Sequence, residues 1–151
     1  MHATNRVGLT ALTIFALAAL SGCSLLGLGG PARDSSGRVT GASEIDSTTL
    51  LRGDCFSFVD GTNLARADVM PCSDPHDYIV IGDGTLSADE VEKGGGMQNA
   101  VSASCAPNFD AFKKRAPEGS KPEQQFIVSP QEKDGKQFTL YLCVATNTGS
   151  S

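Results

Sequence analysis

The chain has 151 residues, a formal net charge of −5 and 40% hydrophobic residues. This length supports one domain with a small core rather than several domains. An acidic balance without a basic cluster argues against nucleic-acid binding and against electrostatic attraction to anionic lipid.

The N-terminus has the pattern of an export signal. Arg6 precedes the apolar residues 7–20, a run too short for the roughly 20 residues that span a bilayer but typical of a signal-peptide core. The following Leu20-Ser21-Gly22-Cys23 resembles the lipobox of bacterial lipoproteins. The resemblance implies that residues 1–22 are removed and that Cys23 becomes the lipidated N-terminus. An ordinary secretory signal with an incidental cysteine is the alternative, and it also exports the chain.

Three further regions follow the signal. Residues 23–49 are predicted to be the lipidated cysteine and a flexible tether, because they contain many Gly, Ser and Thr residues without sustained periodicity. Residues 50–146 form the predicted folded unit, and residues 147–151 are predicted to be a disordered tail. Such a tether would hold the domain near the membrane and leave its orientation free.

The folded unit contains four cysteines: Cys55, Cys72, Cys105 and Cys143. An even number in an exported chain predicts two disulfides, although three connectivities are possible from sequence alone. We favour Cys55 with Cys72 and Cys105 with Cys143. The first pair would join two short strands across the turn-rich residues 60–63.

The first half of the folded unit has the pattern of three short strands, at residues 55–59, 67–70 and 78–81. Ser87 and Glu90 then form a predicted capping box, which marks the start of a helix. Consecutive glycines at residues 94–96 are expected to end or bend that helix.

A second helix is predicted at residues 97–104, with Pro107 ending it or beginning another turn. Two more strands are predicted at residues 125–129 and 137–145, and Asp134-Gly135 between them is a hairpin signal. The pattern therefore predicts a small single α+β domain with a mainly antiparallel sheet, one or two helices and two disulfides.

Residues 71–77, with the sequence PCSDPHD, place His76 between two aspartates, Asp74 and Asp77, and four residues after Cys72. Cys72 could be a thiolate nucleophile with His76 as its base. The same cysteine and histidine could bind a metal ion together with one or both aspartates. A disulfide-stapled turn that leads into a strand is the third interpretation.

We favour the stapled turn, because turn chemistry accounts for every residue of the segment. A disulfide would leave Cys72 without a thiolate, and the chain has no CxxC motif. Its only histidine besides His76 is His2, in the predicted signal peptide. We therefore predict no catalytic residue, metal or cofactor. His76, with Asp74 and Asp77, is kept as a possible contact surface or pH-sensitive group.

Two sequence blocks carry a resemblance to a family. Gly53-Asp54-Cys55, followed by PCSDPH at residues 71–76 and an aliphatic strand, resembles the septum-formation-related domain of actinobacterial envelope proteins. The resemblance extends over residues 50–144. It implies a link to cell division or envelope assembly, and it implies no reaction.

Two functional hypotheses follow. The first is a non-enzymatic lipoprotein, anchored through Cys23 at the extracytoplasmic face of the cell membrane, that binds an envelope protein or cell-wall material. The alternative is an envelope enzyme that uses His76 with Asp54, Asp74 or Asp77 as general acid and base. A thiol-redox lipoprotein is a weaker third idea, since a redox pair is more usually a CxxC motif.

Overall fold

The computed structural model describes residues 30–61 and 64–146. The predicted signal peptide, Cys23, the first part of the tether and the tail at 147–151 lie outside the described residues. Neither helix in the described ranges is long and apolar enough to cross a membrane.

The described chain forms a six-stranded antiparallel sheet with two α-helices. The strand order across the sheet is β1-β3-β2-β4-β6-β5. The elements in chain order are β1 (Ser43–Asp46), β2 (Cys55–Phe58), β3 (Arg66–Met70), β4 (Tyr78–Ser87), α1 (Ala88–Lys93), α2 (Met97–Lys113), β5 (Gln124–Lys133) and β6 (Lys136–Thr146). The predicted α+β class, the mainly antiparallel sheet and the two disulfides are confirmed.

The two faces of the sheet bury separate apolar clusters. Val144 of β6 belongs to one cluster, while its neighbours Cys143 and Ala145 belong to the other. Because successive residues of a strand point to opposite faces, the clusters lie on opposite sides of the sheet. The first contains three aromatic rings whose centroids lie 5.2 to 5.4 Å apart, those of Phe56, Phe58 and Tyr78.

The second cluster is covered by the helices. The predicted capping box is present, with the Ser87 hydroxyl accepting from Glu90 N and the Glu90 carboxylate accepting from Ser87 N. Gly94 is the C-cap of α1, and Gly95 and Gly96 have φ of 78° and 105°. These positive angles favour glycine, and they let the chain reverse directly into α2.

The prediction that the second helix ends near Pro107 is wrong, because α2 continues to Lys113 with Pro107 inside it. Proline removes one backbone donor from a helix. Phe109 and Phe112 extend the buried face of the helix beyond this position, and both pack against the second cluster. The apolar contacts of this last turn offset the lost hydrogen bond.

The prediction of a flexible tether up to residue 49 is also wrong for its described part, residues 30–49. Residues 43–46 form β1, which pairs with β3, and a 3-10 turn, Ser47–Thr49, follows. Val39, Ile45 and Leu50 are buried in the first cluster. The turn packs beside β5, at the other edge of the sheet, so the sheet is curled and the residues before 50 help to close it.

Both favoured disulfides are formed. The Cys55–Cys72 bond joins the start of β2 to the turn after β3, and the Cys105–Cys143 bond joins α2 to β6. The predicted β5–β6 hairpin turns at Asp134 and Gly135, whose φ values are 54° and 71°. Positive angles at both central residues are typical of the two-residue turns that match strand twist.

Candidate functional site

The first sequence block, residues 53–55, and the start of the second, residues 71–73, come together at one partly open cavity. We call this cavity of about 370 Å³ the motif pocket. Residues 53–55 and residues 70–73 line two of its sides, and Asp34, Arg38 and Val39 line the third. The pocket therefore joins residues that are distant in sequence, including a segment that was predicted to be a tether.

The Cys55–Cys72 disulfide holds one wall of the motif pocket. Cys55 is buried on β2, and Cys72 is exposed in the turn after β3. The Asp74 amide donates to the Pro71 carbonyl at 2.9 Å, which closes that turn. The Cys72 sulfur lies 3.5 Å from the Gly53 carbonyl oxygen, and this is a contact rather than a hydrogen bond because a disulfide sulfur carries no proton.

His76 takes part in the same turn. Its Nδ1 lies 2.7 Å from the Asp74 main-chain oxygen, and the Asp77 amide donates to the Ser57 hydroxyl at 3.2 Å. The side chains of Asp74 and Asp77 are exposed, and His76 is half-buried. Residues 71–77 thus have the geometry of a disulfide-stapled turn, and none of residues 74–77 lines the motif pocket.

The candidate metal ligands, Cys72, His76, Asp74 and Asp77, do not form a metal site in the described residues. Within residues 30–61 and 64–146, no three His, Cys, Asp or Glu side chains are placed to share a metal ion. Cys72 is bonded to Cys55 and is thereby unable to supply a thiolate ligand.

A bidentate ion pair links two walls of the motif pocket, because Asp54 lines it and Arg33 precedes the lining residue Asp34. Arg33 Nη1 and Nη2 donate to the two carboxylate oxygens of Asp54 at 2.6 and 2.7 Å. The Leu51 amide donates to the same carboxylate at 2.8 Å. Hydrogen bonding to Asp54 raises the pKa of Arg33 above its usual value. Asp54 is only 3% exposed, so its charge is compensated by fixed partners rather than by water.

The segment that carries Arg33 is itself fixed. The Asp34 carboxylate accepts hydrogen bonds from the Ser36 hydroxyl, the Ser36 amide and the Arg38 amide at 2.7, 2.8 and 3.0 Å. These bonds lower the pKa of Asp34. Val39, at the end of this loop, is buried in the core. These contacts fix the main chain of the loop, from which the exposed Arg38 side chain extends at the pocket.

Arg38 differs from the other charged residues of the motif pocket. Its guanidinium makes no hydrogen bond or ion pair with any side chain or main-chain group in the described ranges, and the residue is exposed. Arg33 is paired with Asp54, and the Asp34 carboxylate has three donors. The Arg38 charge also acts on the Asp34 carboxylate through space and contributes to its lowered pKa. What Arg38 offers at the pocket is therefore a set of guanidinium donors without a hydrogen-bonded partner in the described ranges.

A larger and more open groove of about 490 Å³ lies elsewhere, between the helices and the β5–β6 hairpin. Val91, Met97 and Phe138 contribute its apolar surface, and Gln131 and Gln137 border it. The groove brings together no pair of charged partners and neither of the two sequence blocks. The motif pocket is therefore the stronger candidate site.

Comparisons of the chain with protein-family models, with curated proteins and with solved structures found no match.

Sequence reasoning identified the blocks at 53–55 and 71–76 but not the third wall of the pocket. Arg33 and Arg38 lie in the predicted tether, where sparse apolar residues gave no periodic signal. The alternation of buried Ile45 between exposed Glu44 and Asp46 is the one local pattern that could have indicated order there.

Proposed function

We propose that the mature chain is an exported, lipid-anchored binding or scaffold module at the extracytoplasmic face of the cell membrane, acting in cell-envelope or septum biology. The observation that carries this proposal is the oxidation state of the folded unit. All four of its cysteines form disulfides, which persist in oxidising compartments and are rare in the cytosol. The lipobox pattern that ends at Cys23 supplies the anchor.

The chemistry of the motif pocket supports binding as the role. Cys55 and Cys72 are oxidised, and the Asp54 carboxylate is held by Arg33 and by the Leu51 amide. A group with such fixed partners is suited to shaping a cavity rather than to exchanging protons with a substrate. The cavity is rigidly walled, which favours recognition of a partner group without costly ordering.

The exposed turn beside the pocket supports a contact role with an envelope protein or cell-wall material. Asp74 and Asp77 present their carboxylates to solvent, and His76 lies between them. The disulfide at Cys72 fixes the turn relative to β2. A fixed, charged turn can select among partners through electrostatic complementarity.

Lipid labelling tests the anchor directly. Cells that make the chain are grown with a clickable fatty-acid analogue, and the protein is isolated and assayed for the label. We expect label on the wild type and on Ser24→Ala, the neighbouring control, and none on Cys23→Ala. Label on Cys23→Ala, or an unlabelled wild-type chain, would refute the proposed anchor.

A further inference from the structure

We propose that the motif pocket binds a small monocarboxylate with a short apolar arm, such as the C-terminal residue of a peptide, and that Arg38 contacts its carboxylate. The inference rests on the proposed function as a binding module and names the class of group that this module recognises. Four properties of the pocket carry it: size, rigidity, charge and apolar surface.

The pocket has the dimensions and the walls of a preformed site. Its volume of about 370 Å³ lies within the range of small-molecule sites, roughly 300 to 1,000 Å³. The Cys55–Cys72 bond fixes one wall, and the Arg33–Asp54 pair fixes another. A ligand that enters such a cavity needs little ordering of the protein, so less binding free energy is lost.

The free hydrogen-bond donors at the pocket fit an anion with a single negative charge. Arg33 and Asp54 neutralise one another. The Asp34 carboxylate accepts its hydrogen bonds from Ser36 and from the main chain of Arg38, and the Arg38 charge acts on it only through space. The donors of the Arg38 guanidinium thus stay available to a ligand. A guanidinium binds a carboxylate through two parallel hydrogen bonds. A phosphate dianion would add a second negative charge next to Asp34 and Asp54, with no further uncommitted cation at the pocket to balance it.

Most of the remaining lining is apolar and suits a short hydrocarbon arm, and Ser73 is its one side-chain hydroxyl. Val39, Met70 and Pro71 line the pocket together with the Cys55–Cys72 disulfide. Methionine is flexible and adapts to irregular shapes. A ligand with a carboxylate at Arg38 and a small aliphatic group against these residues would satisfy both parts of the lining.

The test uses the mature chain, isolated in detergent, and N-acetylalanine as the probe. Binding is followed through the NMR signals of the Gly53 and Ser73 amides, which both line the pocket and belong to different sequence blocks. We expect saturable shifts at both amides. N-acetylalanine amide, which has the same arm but no charge, should bind roughly tenfold or more weakly, as should inorganic phosphate. Equal binding of the amide, tighter binding of phosphate, or the absence of shifts at both reporters would overturn the proposal.

Variants assign the contact. Arg38→Ala should weaken N-acetylalanine binding by roughly tenfold or more, and Arg38→Lys by less, because lysine keeps the charge but lacks the planar fork. Arg115→Ala, at the end of α2 and away from the pocket lining, is the matched control and should bind as the wild type does. Undiminished binding by a folded Arg38→Ala protein would refute the role of Arg38. Lipid labelling at Cys23 is independent of this titration, so a failure of the ligand assignment is distinguishable from a failure of the proposed anchor.

Discussion

Arg33 and Asp54 lie 21 residues apart in sequence and form a bidentate ion pair with N···O distances of 2.6 and 2.7 Å. The pair fastens the N-terminal loop to the turn before β2, beside the Cys55–Cys72 disulfide. It connects the local structure of residues 33–39 with the shape of the motif pocket. Loss of the pair would therefore alter both the stability of the domain and the cavity.

Arg33→Ala should lower the free energy of unfolding by about 3 kcal/mol, because it leaves a buried carboxylate without its cation. Asp54→Asn should cost less, because the Arg33 side chain is 20% exposed and can be partly hydrated while Asp54 is 3% exposed. Urea unfolding of the two variants measures the difference.

A second arginine provides the control for this prediction. Arg66 pairs with Glu44 at 2.8 Å, but the two side chains are 48% and 47% exposed. Exposed pairs contribute about 0 to 1 kcal/mol, so Arg66→Ala should change stability by no more than this. Equal losses for Arg33→Ala and Arg66→Ala would contradict the structural role given to the buried pair.

The two disulfides should differ in their contributions to stability. The Cys55–Cys72 bond spans 17 residues and the Cys105–Cys143 bond spans 38. In the chain-entropy account, closing these loops contributes about 3 and about 4 kcal/mol. Paired Cys→Ala replacements should follow that order in urea unfolding, and a larger loss for the shorter loop would show that strain or packing outweighs loop entropy.

Gly84 of β4 lies opposite Tyr141 of β6, and the tyrosine ring packs over the glycine. An added Cβ at Gly84 would overlap the Tyr141 hydroxyl oxygen and would lie 2.6 Å from Cζ. Gly84→Ala should thus displace the ring and cost about 1 to 3 kcal/mol.

The same change in a Tyr141→Leu background tests the cause, since the cost should fall when the ring is absent. Gly41→Ala is the control for the substitution itself, because its added Cβ meets nothing within 4 Å. An unchanged cost of Gly84→Ala beside Leu at position 141 would mean that the tyrosine ring is not what excludes a side chain.

Stability should fall at acidic pH in part through the capping box. The Ser87 amide and hydroxyl donate to the Glu90 carboxylate and lower its pKa below the ordinary 4.5. This contribution is complete above the unfolded value and disappears as the pH falls through the lower, folded value. Glu90→Gln should make the loss of stability between pH 5 and pH 3 less steep, as measured by urea unfolding across that range.

Glu92→Gln, in the same helix, is the control for loss of a charge, because no hydrogen bond to the Glu92 side chain is present in the described chain. If Glu92→Gln flattens the pH profile as much as Glu90→Gln does, net charge rather than the capping box accounts for the acid sensitivity.

Local patterns were sufficient for the core of the fold. The alternation around Phe56, the capping box at Ser87 and the Asp134-Gly135 turn each depend on residues close in sequence, and the structure contains all three. The preferred disulfide pairing also followed from expected proximity, of two short strands for Cys55 and Cys72 and of a helix and a strand for Cys105 and Cys143. Such features are recognisable because a few neighbouring side chains determine the backbone geometry.

Long-range contacts account for what was not predicted. β1 contains one buried residue, Ile45, and is held by pairing with β3, so its own sequence carries little signal. The continuation of α2 through Pro107 depends on the packing of Phe109 and Phe112 against residues of the sheet. Those partners are distant in sequence, so the helix sequence alone does not reveal them. The pairing of Asp54 with Arg33 could not be predicted either, because two residues 21 positions apart leave no local sequence pattern.

The intact mass of the chain, isolated from the membrane fraction and alkylated without reductant, reports on the proposed export, lipid anchor and disulfides together. The account predicts a chain that begins at Cys23, carries the added mass of lipid and shows no alkylation, because the remaining four cysteines are paired. Retention of residues 1–22, cleavage without lipid, or alkylated cysteines would contradict the account of an exported, lipid-anchored and disulfide-bonded module.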